Sequence, residues 1–146
     1  WTRLVQSGSS MKRLVLTGSK YDAGPLVSSL REGLGPLADE FMLEQMLRGD
    51  DEACCAAIVS TLCSVRPLRP YVFRSYQLPP GASGGFSGSC AHRWVDALRA
   101  SSAAPYFFEE FVCAGERFQD GAVSANNPTV IALSEAQRLW PGREVG

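Results

Sequence analysis

The fold of this chain depends on one stretch near its end, Phe118-Gln119-Asp120-Gly121-Ala122-Val123-Ser124-Ala125-Asn126-Asn127-Pro128. Within it an Asp-Gly pair follows an apolar segment, and Asn-Asn-Pro opens a helical pattern. Asp disfavours a strand, and Gly permits backbone angles that other residues avoid. The pattern predicts a carboxylate, that of Asp120, displayed at the end of a sheet. The alternative is an ordinary Asp-Gly turn, which is a routine turn signal.

Composition restricts the class of protein. The 146 residues are enough for one domain with a sizeable core, and 45% hydrophobic with 20% charged residues is ordinary for a globular chain. A formal net charge of -1 gives no electrostatic reason to expect a nucleic-acid partner. No apolar run approaches the roughly 20 residues needed to span a bilayer, and no signal-peptide pattern is present. The first residue is Trp1 rather than Met, so we expect a fragment of a longer protein.

Cysteine usage gives a weak signal about compartment and metal binding. The count is odd, two cysteines are adjacent and no C-x-x-C pair occurs, which indicates neither a disulfide framework nor a zinc site. We therefore expect buried, reduced thiols in an intracellular protein. The cysteines are Cys54, Cys55, Cys63, Cys90 and Cys113.

Hydrophobic periodicity predicts a mixture of helices and strands. The run at 56–63 is nearly all apolar and rich in β-branched residues, which is typical of a strand buried on both faces of an α/β sheet. The segment at 77–90, rich in Gly, Ser and Pro, is predicted to be a lid or disordered. The other predicted elements are a short strand near 14–16, a helix capped by Asp22 and ending at Leu34, a helix over 39–48, a strand over 71–76, a helix over 91–100, a hairpin over 106–119 and a helix from Asn127 to Trp140.

The same periods predict which side chains face the core. In the second helix the inward positions are Phe41, Met42, Met46 and Leu47. In the last helix they are Ala132, Leu133, Ala136, Leu139 and Trp140, with Glu135 and Arg138 outward. Solvation is the favoured interpretation of three arginines that could otherwise form a small basic edge, Arg66, Arg69 and Arg74.

Two motifs match known sites without the context those sites need. Gly81–Gly85 fits G-x-S-x-G, but Ser83 follows two prolines rather than a buried strand, and the single histidine, His92, precedes Asp120. A Ser–His–Asp esterase is therefore disfavoured. Gly33–Ala38 fits G-x-G-x-x-A, but it follows a helix and Pro36 removes a backbone donor, so it is not predicted to bind a dinucleotide.

Three segments in order resemble the patatin-like phospholipase family, and within it the calcium-independent phospholipase A2 gamma branch. They are Arg99–Pro105 with its S-A-A-P, Phe118–Ala122 with D-G-A, and Asn126–Pro128 with N-N-P. An aromatic-rich hairpin lies between the first two. The segments Tyr71–Tyr76 and Arg138–Pro141 are similar to the same branch, so the resemblance extends over most of the chain from about Tyr21.

The resemblance implies a three-layer α/β sandwich around a mostly parallel sheet. It also implies hydrolysis of lipid acyl esters by a Ser–Asp dyad without histidine, metal or other cofactor. Asp120 would be the proton acceptor, with Gly121 and Ala122 completing the motif and Gly121 allowing the turn. Asn127 and Pro128 would lock the helix behind it. A carboxylate is a weak base for a serine, but burial in an apolar cleft raises the pKa of a carboxyl group in general.

The family's nucleophile elbow and Gly-rich oxyanion loop lie upstream of the matching region and do not occur in residues 1–146. The resemblance therefore implies that 1–146 is the C-terminal portion of a single patatin-like domain, with an incomplete sheet and half of a dyad. We expect the substrate to be a phospholipid or another acyl lipid at a membrane surface, and the localisation to be intracellular and peripheral to a membrane, with mitochondrion, peroxisome and ER left open. The alternative is a truncated, inactive fragment that binds lipid or a partner.

Overall fold

The computed structural model describes residues 13–16, 18–49, 54–82 and 85–143. Helices and strands occur in groups along this part of the chain. They are α1 (Gly24–Leu34), a 3-10 turn (Gly35–Asp39), α2 (Glu44–Leu47), β1 (Ala57–Leu62), β2 (Arg69–Arg74), β3 (Ser87–Ser89), α3 (Trp94–Ser101), β4 (Phe111–Cys113), β5 (Glu116–Asp120), α4 (Ala122–Ala125) and α5 (Thr129–Leu139).

The described strands form one mixed sheet in the order β3-β2-β1-β5-β4. Strand β1 pairs antiparallel with β2 on one side and with β5 on the other, while β3 runs parallel to β2. β4 and β5 form the predicted antiparallel hairpin. Short connections such as the one between β4 and β5 permit only antiparallel pairing, because a parallel crossover needs a dozen or more residues. The α/β class is confirmed, with parallel pairing limited to β2 and β3 among these strands.

The core lies between the sheet and α3. It is built around fully buried Phe73 and Phe118, whose ring centroids lie 5.2 Å apart. Aromatic pairs at this separation add to the free energy gained by burying their surface. The other buried members of the cluster are Met42, Leu62, Ala97 and Ala100. Strand β1 occupies the centre of the sheet, as its apolar, β-branched composition predicts.

Several local predictions near the start of the chain are wrong. Residues 13–16 are helical rather than extended. Helix α1 has Ala23 at its N-cap without a side-chain cap, so Asp22 does not cap it. The predicted helix over 39–48 is interrupted because Phe41 forms an isolated β-bridge with Arg93. Of its predicted inward side chains only Met42 is buried; the exposed ones are Phe41, Met46 and Leu47.

Helix α5 turns a different face to the core from the one predicted. Its buried residues are Ile131 and Glu135, whereas Leu133 and Trp140 are exposed. The cause is Arg74, which is itself buried and forms two hydrogen bonds with Glu135, at 2.5 Å and 2.8 Å. Glu135 was predicted to face outward and Arg74 to be solvated, and both predictions are wrong. The two side chains are buried together because each provides the opposite charge that the other needs in the interior.

The segment predicted to be a lid or disordered contains strand β3. It is attached to the rest of the fold by two arginines: Arg74 donates to the carbonyl of Phe86 at 3.0 Å, and Arg138 donates to that of Ala82 at 2.9 Å. Ser83 lies outside the described residues. The chain's cysteines are free thiols, and Cys63 is buried as predicted, while Cys54 and Cys55 are exposed, contrary to prediction.

Candidate active site

Asp120 is the last residue of β5, as predicted, and lies opposite Ser60 of the central strand β1. Its backbone is held on both sides. Its N–H donates to the carbonyl of Ala103 at 2.9 Å, and its carbonyl accepts from the Thr61 hydroxyl at 2.8 Å. Thr61 is fully buried, so this bond is shielded from competing water. The position of Asp120 is therefore fixed by two different elements of the fold.

The carboxylate of Asp120 is oriented by its own turn. Oδ1 accepts a hydrogen bond from the backbone N–H of Ala122 at 2.8 Å. This is an Asx-type turn, in which the side chain replaces a backbone acceptor. A charged acceptor makes the bond stronger than a neutral one. The bond engages Oδ1, one of the two carboxylate oxygens, and Asp120 is half-buried.

Gly121 is needed for space rather than for unusual backbone angles. Its φ of -57° and ψ of -30° are ordinary right-handed helical values, so the sequence-based expectation is wrong on this point. A Cβ at this position would lie 2.4 Å from the carbonyl oxygen of Val59 in β1. Only a residue without a side chain lets the chain after Asp120 pass this close to the central strand.

The small residues of the S-S-A-A-P segment have a matching role. The Ser101 hydroxyl donates to the carbonyl of Val59 at 2.7 Å, so it fastens the end of α3 to β1. Ala103, whose carbonyl receives the Asp120 amide, is fully buried. Larger side chains here would separate the two backbones. The order of the motifs in sequence thus corresponds to one packed contact around Asp120.

In the N-N-P motif the side chain of Asn127 bonds to the first residue of the last helix. Helix α5 begins at Thr129, two residues later than predicted, because the short helix α4 intervenes. The Oδ1 atom of Asn127 accepts from the Thr129 N–H at 3.1 Å and from its hydroxyl at 2.6 Å. This satisfies one of the backbone donors that a helix leaves open at its start.

Arg99, two residues before the S-S-A-A-P segment, anchors the following loop. It is buried, lies 5.6 Å from the ring of Phe108 and 5.7 Å from that of Phe111, and donates to the carbonyl of Glu109 at 3.1 Å. Burial lowers the pKa of Arg99. A guanidinium between two aromatic faces is a favourable cation–π arrangement. Periodicity does not reveal this role, because it predicts no contact between α3 and the loop.

His92 belongs to the aromatic core. Its ring centroid lies 4.8 Å from that of Phe73, and its two ring nitrogens contact the hydroxyl of Tyr71 at 3.4 Å and the Sγ of Cys113 at 3.7 Å. Burial lowers its pKa, so the neutral form is favoured. These contacts give His92 a structural role in the core.

A cavity of about 450 Å³ lies beside the hairpin. Its wall includes Gln119, which precedes Asp120 on β5. Side chains alternate along a strand, so Gln119 and Asp120 point to opposite faces of the sheet. The Asp120 side chain therefore points away from this cavity. Its other lining residues are Gly18, Pro105, Tyr106, Phe108, Glu109 and Glu110.

Two negative findings apply to the described ranges alone. Within residues 13–16, 18–49, 54–82 and 85–143, no cluster of three or more His, Cys, Asp or Glu residues is arranged to hold a metal ion. Across the same ranges, none of the helices has the length and apolar character needed to cross a membrane.

Comparison with known proteins agrees with the geometry. The family model described as patatin-like phospholipase matches residues 1–133. Phospholipase A I of Arabidopsis thaliana is 36% identical over 172 aligned residues, covering 98% of this chain and 13% of the relative. Calcium-independent phospholipase A2-gamma of Mus musculus is 37% identical over 123 residues, covering 83% of this chain and 15% of the relative. No solved structure matches the chain.

The chain therefore combines an α/β fold with an Asp-Gly-Ala turn at the end of β5. The chain belongs to the patatin-like phospholipase family. It spans 13% and 15% of the length of the two relatives above, which are therefore much larger proteins.

Proposed function

We propose that this chain supplies the proton acceptor of a lipid acyl hydrolase of the phospholipase A or lysophospholipase type, with Asp120 as the base of a Ser–Asp dyad. The observation that carries the proposal is the three-point fixing of Asp120 through its N–H, its carbonyl and Oδ1. A base must be held in one orientation to act on a neighbouring hydroxyl. The serine and the oxyanion donors would come from a part of the complete protein outside residues 1–146.

In the proposed reaction Asp120 accepts the serine proton while the serine oxygen attacks the ester carbonyl of the lipid. The tetrahedral intermediate collapses to an acyl-enzyme, and the protonated Asp120 returns the proton to the departing alcohol. A water molecule then attacks the acyl-enzyme, with Asp120 taking its proton. Collapse releases the fatty acid and returns the proton to the serine. No oxidant, metal ion or other co-reactant is needed for the balance of this cycle.

The proposal is tested in the complete protein that contains this chain. Asp120→Asn keeps the shape of the side chain but removes its basicity. We expect fatty-acid release from phosphatidylcholine vesicles to fall by about 10²–10⁴-fold, the range typical for loss of a general base. Asp96→Asn, on α3, is the matched control and should keep wild-type turnover. Wild-type turnover in the Asp120 variant would refute the proposal.

A second candidate, an inactive fragment that binds lipid or a partner, is favoured by the arrangement of hydroxyls near Asp120. The Thr61 and Ser101 hydroxyls donate to backbone carbonyls, and the Ser124 hydroxyl bonds to Thr61 at 2.8 Å. On the 146-residue chain alone we expect no labelling by a fluorophosphonate serine probe. Labelling at Ser83 would instead revive a self-contained esterase.

The domain assignment and localisation are proposed together with this function. We propose that residues 1–146 are the C-terminal portion of one patatin-like domain. The unpaired thiols favour an intracellular setting, since secreted chains tend to pair their cysteines.

A further inference from the structure

Two segments remote in sequence display aromatic rings side by side at the surface. Tyr21, Tyr106 and Phe107 remain 43%, 52% and 45% exposed. The rings of Tyr21 and Phe107 are stacked with centroids 6.1 Å apart, and Tyr106 meets Phe107 edge-on at 5.4 Å. We call these three residues the aromatic cluster. An exposed apolar patch of this kind marks a contact surface more often than isolated apolar residues do.

The backbone holds the aromatic cluster in place. The N–H of Lys20 donates to the carbonyl of Tyr106 at 2.8 Å, and the N–H of Tyr21 donates to that of Phe107 at 2.9 Å. Tyr106 has a φ of 71°, which side-chain-bearing residues adopt rarely and only where their surroundings enforce it. Rings presented by a fixed backbone lose little conformational freedom when they bind.

A cation and further apolar groups border the aromatic cluster. The ammonium group of Lys20 lies 5.0 Å from the centroid of the Tyr21 ring. Arg13 pairs with Asp22 at 3.4 Å and with Glu109 at 2.9 Å, which brings the helical turn 13–16 against the same region. This turn exposes Val15 and Leu16. Aromatic rings beside a lysine suit the boundary between head groups and acyl chains of a bilayer, where rings are buried and the ammonium meets phosphate.

The aromatic cluster is directly connected to the candidate base. The carbonyl of Ala103 accepts a hydrogen bond from the N–H of Asp120, and Ala103 precedes Tyr106 by three residues. Three residues of chain span about 11 Å at most. A lipid surface contacted by Tyr106 would therefore lie within about one lipid head group of the segment that holds Asp120. The ester bonds of a phospholipid lie at the same boundary layer.

We infer that the aromatic cluster, with Lys20 at its edge, is a contact of this protein with the surface of a lipid bilayer. The inference rests on the proposed function in that the same lipid surface would supply the substrate. The partner is a phospholipid surface carrying anionic head groups. A protein partner would use the rings but would not require lipid.

Binding to vesicles of phosphatidylcholine and phosphatidylglycerol at equal amounts tests the inference on the 146-residue chain. Tyr21→Ser combined with Phe107→Ser should weaken co-sedimentation with vesicles about tenfold or more, because two rings leave the lipid. The matched control is Val130→Ser combined with Leu133→Ser on α5, where the side chains are 70% and 42% exposed, and it should bind as wild type. Equal binding of both double variants would overturn the inference.

Lys20→Gln separates the charge from the rings. Its binding should fall about fivefold on the anionic vesicles and stay unchanged on phosphatidylcholine alone, since one lysine near an anionic surface contributes a modest attraction. An equal loss on both vesicles would contradict the assigned role of Lys20.

Three further variants separate the lipid contact from misfolding and from failure of the proposed function. Phe107→Trp keeps a large ring, and its added fluorescence should be quenched by brominated phosphatidylcholine, whereas that of Val130→Trp should not. Absence of quenching at position 107 would overturn the inference even if the serine variants unfold. Asp120→Asn should bind vesicles as wild type does, so loss of turnover alone bears on the proposed function and not on the lipid contact.

Discussion

Strand β1 has two neighbours that are secured in different ways. On the β5 side, hydrogen bonds from the Thr61 hydroxyl and to the carbonyl of Ala103 hold the backbone of Asp120, and the Ser101 hydroxyl bonds to the carbonyl of Val59. On the β2 side, the charges of Arg74 and Glu135 meet in the interior, where each is at most 6% exposed. Neutral hydrogen bonds fix a backbone at little desolvation cost, whereas buried charges are stable only as a complete set.

The Glu135 cluster shows how such a set is completed. Besides Arg74, the Tyr76 hydroxyl donates to Glu135 at 3.0 Å, and Arg138 lies 3.3 Å away. Burial opposes ionisation of Glu135, but Arg74, Tyr76 and Arg138 outweigh it and hold its pKa below the ordinary carboxyl range. Arg74 and Arg138 also bind the segment around β3. We therefore expect this side of β1 to govern stability and the β5 side to govern catalysis.

The largest effect on stability should come from breaking the charged side. Glu135→Ala leaves Arg74 buried without its anion, and we expect the free energy of unfolding to fall by about 3–5 kcal/mol. Urea denaturation measures it. Glu44→Ala, which removes an exposed ion pair with Arg48, is the matched control and should cost less than about 1 kcal/mol. Similar losses of unfolding free energy in the two variants would show that the buried ion pair stabilises the fold no more than an exposed one.

A smaller loss is expected from crowding the β5 side. Gly121→Ala would place a methyl group 2.4 Å from the Val59 carbonyl, so the central strand or the Asp120 turn must move. We expect a loss of about 1–3 kcal/mol in the free energy of unfolding. Gly33→Ala, in α1 with no atom within 4 Å of the added carbon, should be neutral or stabilising by up to about 1 kcal/mol. An unchanged unfolding curve for Gly121→Ala would contradict the steric role of Gly121.

Removing one hydroxyl should have a still smaller effect on folding. Thr61→Val leaves the carbonyl of Asp120 without this donor and also breaks the contact with Ser124. We expect a loss of about 1–2 kcal/mol. Thr61→Ser restores the hydroxyl and should bring back the hydrogen exchange protection of the Asp120 amide, measured by NMR. If the Asp120 amide is equally protected from hydrogen exchange in Thr61→Val and Thr61→Ser, the Thr61 hydroxyl does not position Asp120.

The smallest effect concerns acid stability. Because the pKa of Glu135 is lower in the folded state than in the unfolded state, its contribution is complete above the unfolded value, about 4.3, and is lost as pH falls through the folded one. The stability difference between wild type and Glu135→Gln should therefore narrow below about pH 4. Urea midpoints measured from pH 7 to 3 give this difference. A gap that widens in acid would reverse the sign assigned here.

The two sides of β1 also differ in how far their structure could be predicted from the sequence. The position of Asp120 at a strand end follows from local signals, an apolar run followed by Asp-Gly. The order of the motifs indicated the family and the role expected of Asp120. The orientation of Glu135 could not be predicted, because its partner Arg74 lies 61 residues away and a charged residue on a helix is ordinarily assigned to solvent.

Two other misses also have physical causes. Strand β3, Ser-Gly-Ser, has no strand propensity of its own; it pairs along the edge of β2, and a Cβ on Gly88 would lie within 3 Å of Val72 and Arg74. The need for Gly121 was predicted, but sequence does not distinguish a glycine required for its φ from one required for close approach.

The most direct measurement of the central claim is the rate at which a fluorophosphonate labels the serine of the complete protein. This rate depends on removal of the serine proton and not on lipid binding. If Asp120 is the base, Asp120→Asn should slow labelling by about 100-fold or more, while Asp96→Asn leaves it unchanged. Equal labelling rates in wild type and Asp120→Asn would contradict the account.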